Sequence, residues 1–341
     1  MTTIDLRAYE PAAAPHVVAL WNAAVGDLFP LREPVLRQCL ELNPSFRSSD
    51  ALLAWEGDRP VGFGYVGLHR VVAAETLAFR RRSQLQAVVV HPDRRRRGIG
   101  RRICGQLALA ARSHGSETVE AGGGMFYLWA GIPEDVPGAV EFATSLGFEL
   151  GTSSWDLRGD VAGLRLDERT EGTLVAAGME VAPGTAADHA EILGFLYGEF
   201  GGEWWHETGW FLDHGGDPAE LLLMREGGGR LVGLARIHTP ESRPVAPPHF
   251  WAARRPPAAG GLGPIGVAAE LRGRGLGRAL LVVALDELRR RGLTDVVIDF
   301  TSLLGYYGPH GFAPWITYRH ATAPVARLIG AATAGRVEET A

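Results

Sequence analysis

The sequence predicts an α/β protein, with a mixed sheet of the α+β kind, built from two tandem copies of one domain. Apolar segments of strand length alternate with segments that repeat apolar residues at helical spacing. A glycine-rich turn joins a strand to a helix in each half, and the order of the elements recurs along the chain. With 341 residues, of which 46% are hydrophobic and 21% charged, the chain is long enough to bury two cores.

The internal repeat is visible as landmarks that occur in the same order in both halves. Each half has an apolar strand, a charged turn with glycine and a second strand, as in a β-hairpin, followed by the glycine-rich turn and later by a Gly-Phe pair. The matched segments are 52–63 with 221–234, 90–100 with 267–277, and Gly147-Phe148 with Gly311-Phe312.

The repeat sets the predicted domains at 1–159 and 174–323. Short strands are expected at 3–9 and 174–181, and each is followed by helices. Thr185 and Asp188 are residues typical of a helix start, so they favour a helix after the second strand. We expect 160–173 to be a linker and 324–341 to be a frayed tail of small residues.

The turn from Arg272 to Gly277 has the position of a phosphate-binding loop. The first N–H groups of a helix have no partner within the helix, and glycines let the backbone approach a pyrophosphate closely. A nucleoside-triphosphate loop would end in Gly-Lys-Ser/Thr, and a dinucleotide fingerprint would read Gly-x-Gly-x-x-Gly with an acidic residue about 20 positions on. Neither pattern fits the observed Arg-x-x-Gly-x-Gly.

This pattern, followed by the apolar strand 295–300 and by Tyr306-Tyr307 ahead of Gly311-Phe312, resembles the acyl-CoA site of the Gcn5-related N-acetyltransferases, the GNAT superfamily. The resemblance covers essentially the whole chain as two copies. It implies acetyl-CoA as cofactor and an amine as acetyl acceptor. The implied cofactor contacts are Val267, Arg272, Gly273, Arg274, Gly275, Leu276 and Gly277, and in the N-terminal copy Val90, Arg95, Arg96, Arg97, Gly98, Ile99 and Gly100.

Two residues are the catalytic candidates. The resemblance places Tyr307, four residues before Gly311, beside the thioester sulfur as a proton donor, although a core aromatic is the alternative. Asp299 is the first candidate for the base because an unpaired carboxylate in an apolar strand is costly, and a structural, hydrogen-bonded aspartate is the alternative. The other candidates for the base are Glu270, Glu207 and Glu203.

Two aromatic segments are candidates for the acceptor pocket. Trp204, Trp205 and Glu207 lie in a segment rich in tryptophan and carboxylate that could hold a cationic amine, unless the rings belong to the core. The proline-rich segment 239–262 is predicted to be a loop, either a substrate lid that carries Trp251 or a disordered insertion.

The N-terminal copy lacks the tyrosine. Ala143 stands four residues before Gly147, while the phosphate loop of this copy is intact. We therefore expect catalysis in the C-terminal copy and a catalytically degenerate N-terminal domain. Tyr127 or Ser145 as a substitute donor is left open by the sequence, as is CoA binding in this copy.

Composition excludes several classes of partner. The net charge is −5, and the basic run 94–97 is offset elsewhere, so no nucleic-acid partner is expected. No apolar stretch approaches a membrane span, and the N-terminus lacks a signal core, which indicates a cytoplasmic protein without a membrane partner. Cys39 and Cys104 are too few for a metal cluster, so no metal is expected.

The leading hypothesis is an N-acetyltransferase that acts on a small-molecule amine. The alternatives are the same transfer to a peptide or protein N-terminus, and a non-catalytic acyl-CoA-binding sensor. The oligomeric state, the acyl-chain preference and the identity of the amine are left open by the sequence.

Overall fold

A computed structural model of the protein describes residues 3–70, 81–227 and 229–334. The chain divides into two compact units. Unit 1 comprises Met1–Trp155 together with Ile316–Ala341, and unit 2 comprises Asp156–Trp315.

The helices and strands follow the alternation seen in the sequence. The first half contains β1 (Ile4–Ala8), α1 (Ala14–Val25), α2 (Glu33–Leu40), β2 (Ala51–Glu56), β3 (Arg59–Leu68), β4 (Arg82–Val90), α3 (Ile99–Ser113), β5 (Thr118–Ala121), β6 (Ile132–Pro133), α4 (Ala139–Leu146) and β7 (Glu149–Asp160). The second half contains α5 (Glu168–Ala176), β8 (Met179–Pro183), α6 (His189–Phe200), α7 (Gly202–Asp213), β9 (Leu221–Glu226), β10 (Leu231–His238), β11 (Ala259–Val267), α8 (Leu276–Arg290), β12 (Asp295–Thr301), α9 (Leu304–Tyr307), β13 (Ala313–Pro324) and α10 (Val325–Ala334).

Both units have the same sheet order. In unit 1 the order is β1-β2-β3-β4-β5-β13, and in unit 2 it is β8-β9-β10-β11-β12-β7. The first four strands of each unit pair antiparallel, whereas β4 with β5 and β11 with β12 are parallel. The mixed sheets and the two hairpins predicted from the sequence are confirmed.

A β-bulge lies in the fourth strand of each unit. In unit 1 the register between β3 and β4 shifts at Gln86, and in unit 2 Gly263 and Pro264 of β11 lie opposite Arg236 of β10. Beyond the bulge the parallel pair separates: the pairing of β11 with β12 ends at Leu262↔Ile298, although β11 continues to Val267. A bulge bends its strand away from one neighbour, so the fold opens a cleft between β11 and β12.

The last strand and helix of each unit come from the other half of the sequence. From Ile316 onward β13 belongs to unit 1, where Thr322 pairs with Glu120 of β5, and α10 packs on α3. In unit 2 the corresponding elements are the end of β7 and helix α5, which packs on α8. Val325 and Leu328 of α10 are buried in the core of unit 1.

Three sequence expectations about connecting segments were wrong. Residues 168–173 of the expected linker are the start of α5. Residues 325–334 of the expected frayed tail form α10, because apolar side chains of α10 pack in a core that is built by a distant part of the chain. The expected loop 239–262 ends earlier, since β11 begins at Ala259 in the middle of the sheet. The division into domains at 1–159 and 174–323 follows the sequence repeat and stays a prediction.

Candidate acyl-transfer site

The glycine-rich turn of unit 2 ends β11 and begins α8, as the sequence predicts. Gly273 and Gly275 have φ of +78° and +79°, a region that favours glycine. Gly275 is the N-cap of α8, and no side chain caps the helix there. A Cβ at Gly273 would meet no atom within 4 Å, so the turn is open on that side. Uncapped N–H groups at the start of a 15-residue helix fit a phosphate group.

The first arginine of the turn holds the loop to its strand. Arg272 Nε donates to the carbonyl oxygen of Val267 at 3.4 Å, and Arg95 Nε of unit 1 donates in the same way to Val90 at 3.2 Å. Arg274 and its counterpart Arg97 are exposed. In unit 1, Arg96 takes the place of Gly273 with φ +60°, and Gly98 is the N-cap of α3, ahead of Ile99 and Gly100.

An aromatic ring covers the first turn of the helix in both units. A Cβ at Gly277 would lie 3.4 Å from the hydroxyl oxygen of Tyr306, and a Cβ at Gly100 would lie 3.0 Å from Cζ of Phe142. Burial raises the pKa of Tyr306 to about 12, so its hydroxyl is protonated at neutral pH. Leu276, next to Gly277, is buried beneath this turn.

Tyr307 is buried, with 4% of its surface exposed, and packs edge to face on Tyr306 with ring centroids 4.8 Å apart. Its pKa is raised, chiefly because burial disfavours the phenolate, and electrostatic interactions with Tyr306 and Asp299 add to the effect. The side chain is therefore a protonated phenol, in electrostatic reach of a carboxylate at the cleft.

The structure brings Asp299 and Glu207 together. Asp299 Oδ1 lies 3.3 Å from the position that a Cβ of Gly263 would take, at the point where β11 and β12 separate. The pKa of Glu207 on α7 is raised well above its usual range, because the carboxyl is removed from water and because Glu203 and Asp299 add negative charge. Glu270, another candidate for the base, is instead exposed and ion-paired with Arg230 at 3.0 Å.

Arg236 is a residue of this site that sequence reasoning missed. It is buried on β10, and its charge lowers the pKa of Glu207, against the effect of burial. Arg236 and His238 are spaced i, i+2 in a strand that is otherwise apolar, which places both side chains on one face. A buried cation at such spacing is the signal that could have identified it.

The aromatic wall lies against β11. Phe200 and Trp204 pack with ring centroids 4.6 Å apart, and a Cβ on Gly266 would come within 2.4 Å of Phe200 Cζ and 3.2 Å of Trp204 Cζ3. Trp204 and Trp205 are partly buried and pack on the core of unit 2, so core packing accounts for part of their role. Gly266 lets both rings reach the strand that borders the cleft.

The segment before β11 is fixed to unit 2. Trp251 is buried with 2% of its surface exposed. The guanidinium of Arg255, which is fully buried, pairs with Asp295 at 2.8 Å and donates to the carbonyl oxygens of Pro248 and Gly260. These contacts favour a packed wall over a mobile lid. Because Trp251 is buried, little of its ring is accessible to a substrate.

Unit 1 differs from unit 2 at the corresponding cleft. Gln86 Nε2 donates to the carbonyl oxygen of Gly123 at 2.7 Å, which joins the bulge of β4 to the chain beyond β5. That chain, 122–138, is longer than the connection 302–303 in unit 2, and its Trp129 packs on Trp21 of α1 at 4.5 Å. Ala143 is buried and carries no hydroxyl.

A cavity of about 690 Å³ lies elsewhere in unit 1. Its walls include His69 at the end of β3 and Ser113 and His114 at the end of α3. Because the glycine-rich turn lies at the opposite end of α3, this cavity includes none of the predicted site residues.

A model of the acetyltransferase (GNAT) family matches residues 19–148 and 186–312, and so more than half of the chain in two copies. The chain belongs to the GNAT family. It is a tandem member and an N-acetyltransferase, and GNAT enzymes use acetyl-CoA.

Curated relatives of this GNAT protein are mycothiol acetyltransferases. The protein of Thermobispora bispora is 29% identical over 327 residues, which cover 89% of this chain and 94% of the relative. The protein of Nocardia farcinica is 29% identical over 247 residues, 66% of this chain and 69% of the relative.

Solved GNAT structures share the fold. The glucosamine N-acetyltransferase region of a fungal β-N-acetylglucosaminidase superposes with a TM-score of 0.83 at 21% identity, covering 95% of this chain and 38% of that one. A tandem GNAT protein from the clavulanic acid pathway superposes with a TM-score of 0.66 at 16% identity, covering 95% and 99%. Within the described residues of this GNAT chain, we find no helix with the length and apolarity of a membrane span.

Proposed function

We propose that the protein transfers the acetyl group of acetyl-CoA to the amine of a small cationic molecule, and that unit 2 performs the chemistry. The observation that carries the proposal is that Asp299, at the cleft, interacts with both the phenol Tyr307 and the carboxyl group of Glu207, in a unit that also has an open glycine-rich turn. The curated relatives, which are named for the small molecule mycothiol, support a small acceptor.

The residues of unit 2 fit a CoA molecule. The uncapped start of α8, with the positive-φ glycines Gly273 and Gly275 and the exposed Arg274, suits a pyrophosphate. The cleft between β11 and β12 suits an extended arm that ends near Val267. Bound acetyl-CoA would supply an acetyl thioester, and the remaining tasks fall to the side chains.

The side chains divide the proton chemistry. An ammonium acceptor must lose a proton before its nitrogen is nucleophilic, and Asp299, or Glu207 in its ionised form, is placed beside the cleft to take it. Tyr307 stays protonated because it is buried, so it can donate to a developing thiolate. The backbone at Val267 would orient the carbonyl to be attacked.

The charge balance favours a cationic acceptor. Glu203 and Asp299 both add negative charge at Glu207, and Arg236 is a cation that acts on Glu207 and Asp299. Trp204 adds an aromatic face next to Gly266. An anionic acceptor would meet repulsion here.

The N-terminal copy is proposed to be silent in turnover. Its cleft is bridged by Gln86, its chain beyond β5 packs against α1, and Ala143 offers no proton. Without a donor near the sulfur the barrier to thiolate departure stays high, whether or not CoA binds.

A panel of small amines, with CoA release measured by a thiol reagent, tests the proposal. The matched variants are Gly275→Val and Gly98→Val, since both glycines are N-caps with nearly equal φ, +79° and +73°. We expect Gly275→Val to abolish release and Gly98→Val to leave most of it. Loss of activity in a folded Gly98→Val protein would show that both copies are needed, and no release with any amine would contradict the proposal itself.

A further inference from the structure

In unit 2 the strand β11 lies between β10, which carries the cation Arg236, and β12, which carries the carboxylate Asp299. Between these two residues β11 has a glycine, Gly263. Arg236 of β10 lies opposite the bulge at Gly263 and Pro264 of β11. Asp299 of β12 follows Ile298, the last residue paired with β11, and its Oδ1 lies 3.3 Å from the position of a Cβ on Gly263. Since glycine has no side chain, the Asp299 carboxylate can lie over the middle strand, on the side from which Arg236 attracts it.

The guanidinium of Arg236 contacts an aromatic ring and a buried carboxylate. Its Cζ lies 3.5 Å from the ring centroid of Phe211, and Nη2 lies 3.9 Å from Glu220 Oε2. Glu220 is fixed in turn, because Ser242 Oγ donates to its Oε1 at 2.6 Å. Only 9% of Arg236 and 5% of Glu220 are exposed, so the pair is built into the interior.

Arg236 also acts on the two carboxylates that are candidates for the base, Glu207 and Asp299. Glu207 and Phe211 are one turn apart on α7, so the helix face that stacks on Arg236 also presents Glu207. Burial lowers the pKa of Arg236 to about 10, which leaves it charged at neutral pH. The charged and titratable groups around the carboxylates and Arg236 are Glu203 and Glu207 of α7, Glu220 before β9, Arg236 and His238 of β10, Asp299 of β12 and Tyr307 of α9.

His238 fixes the bulge itself. Its Nε2 lies 2.6 Å from the carbonyl oxygen of Gly263, and since a carbonyl only accepts, Nε2 carries the proton. Burial and the charge of Arg236 hold the pKa of His238 well below its usual range, so the ring is neutral and adds no second cation. Arg236 therefore keeps its charge beside a neutral His238, and Glu220 is its ion-pair partner.

We propose that Arg236 is a positioning residue that aligns Glu207 and Asp299 beside the acyl-transfer cleft and favours the ionised form of Glu207, and thereby sets the lower end of the pH range for acetyl transfer. The inference rests on the proposed function of unit 2. Two carboxylates close together and partly removed from water tend to share a proton, and a nearby cation opposes this tendency. A protonated carboxyl group cannot take a proton from an ammonium group, so loss of the cation would narrow the pH range of the reaction at its acid end.

The test measures the pH profile of kcat/KM for Arg236→Met and Arg236→Lys. Rates fall as the pH drops through the pKa values of the carboxylates, and loss of the guanidinium raises those values. We expect the acid limb of Arg236→Met to move to higher pH by about 1–3 units. Arg236→Lys keeps the charge and should restore most of the wild-type profile, even if its stability is lower.

Arg255→Met is the matched control, because Arg255 is also a buried arginine of unit 2 and pairs with Asp295 instead. It should lower the melting temperature without moving the acid limb. A second readout is the pKa of the Glu207 carboxyl, followed by carbon-13 NMR in the ligand-free protein, assigned with Glu207→Gln. It should rise in Arg236→Met.

The outcomes separate the two proposals. An unchanged pKa of Glu207 in Arg236→Met, or an equal shift in Arg255→Met, would overturn the role of Arg236. If Arg236→Met does not fold, Arg236→Lys decides: a profile like that of the wild type supports the role, and a displaced one in a folded protein contradicts it. Wild-type protein that acetylates no amine would refute the proposed function, while the NMR titration would still decide the inference.

Discussion

Substitution of Gly266 by alanine is the sharpest test of the aromatic wall. The added Cβ would lie 2.4 Å from Cζ and 2.7 Å from Cε1 of Phe200, and 3.2 Å from Cζ3 of Trp204. These distances are below van der Waals contact, so the Phe200 ring must move by about 1 Å or more. The backbone is not the obstacle, since φ at Gly266 is not positive.

The magnitude follows from overpacking. Forcing a methyl group into a packed site costs about 1–3 kcal/mol. For a unit of this size, each kcal/mol lowers the melting temperature by about 2–4 °C, so Gly266→Ala should melt about 2–12 °C below the wild type. Because the displaced rings border the proposed acceptor pocket, KM for the amine should rise more than KM for acetyl-CoA.

Gly194→Ala is the control. It makes the same chemical change on α6, the helix that carries Phe200, but a Cβ there meets no atom within 4 Å. Removing a glycine from a helix interior should stabilise unit 2 by about 0.5–1 kcal/mol. Calorimetry and initial rates measure both effects. Wild-type stability and KM in Gly266→Ala would refute the packing argument.

Three further predictions concern the cofactor, the phenol and the exchanged helix. Acetyl-CoA at about 100 times its Kd should stabilise unit 2 by about 2.7 kcal/mol in thermal unfolding, and the absence of any shift would contradict the cofactor assignment. Tyr307→Phe should lower kcat by about 10²-fold or more with unchanged acetyl-CoA affinity, and wild-type turnover would make Tyr307 a core residue. Leu328→Ala should destabilise unit 1 by about 2–5 kcal/mol in denaturant unfolding, whereas Leu303→Ala, at an exposed position, should change stability by under about 0.5 kcal/mol. Equal effects would contradict the packing of α10.

Local features of the fold could be predicted from the sequence. The hairpins and the glycine-rich turns depend on residues close together in the chain, so apolar periodicity and the positions of the glycines reveal them. The same holds for Ala143, because the spacing to Gly147 identifies its position.

Features that depend on distant contacts could not be predicted. Gly261 belongs to the segment that its prolines and glycines predict to be a loop, yet it lies in the central strand β11, where Pro248 approaches the backbone too closely for a Cβ. The position of α10 also escaped prediction, since periodicity shows that a helix has an apolar face but not which core it covers. Arg236 escaped because its partners come from other elements.

The exchange of the last strand and helix has a consequence for the order in which the newly made chain can fold. When Trp155 has been synthesised, unit 1 still lacks the strand that pairs with β5 and the helix that covers α3. The ribosome must first add the 160 residues of Asp156–Trp315. At about 5–20 residues per second this takes roughly 8–30 s, during which one edge of β5 has no partner from β13 and the apolar face of α3 is uncovered. The second-made unit can thus be complete before the first.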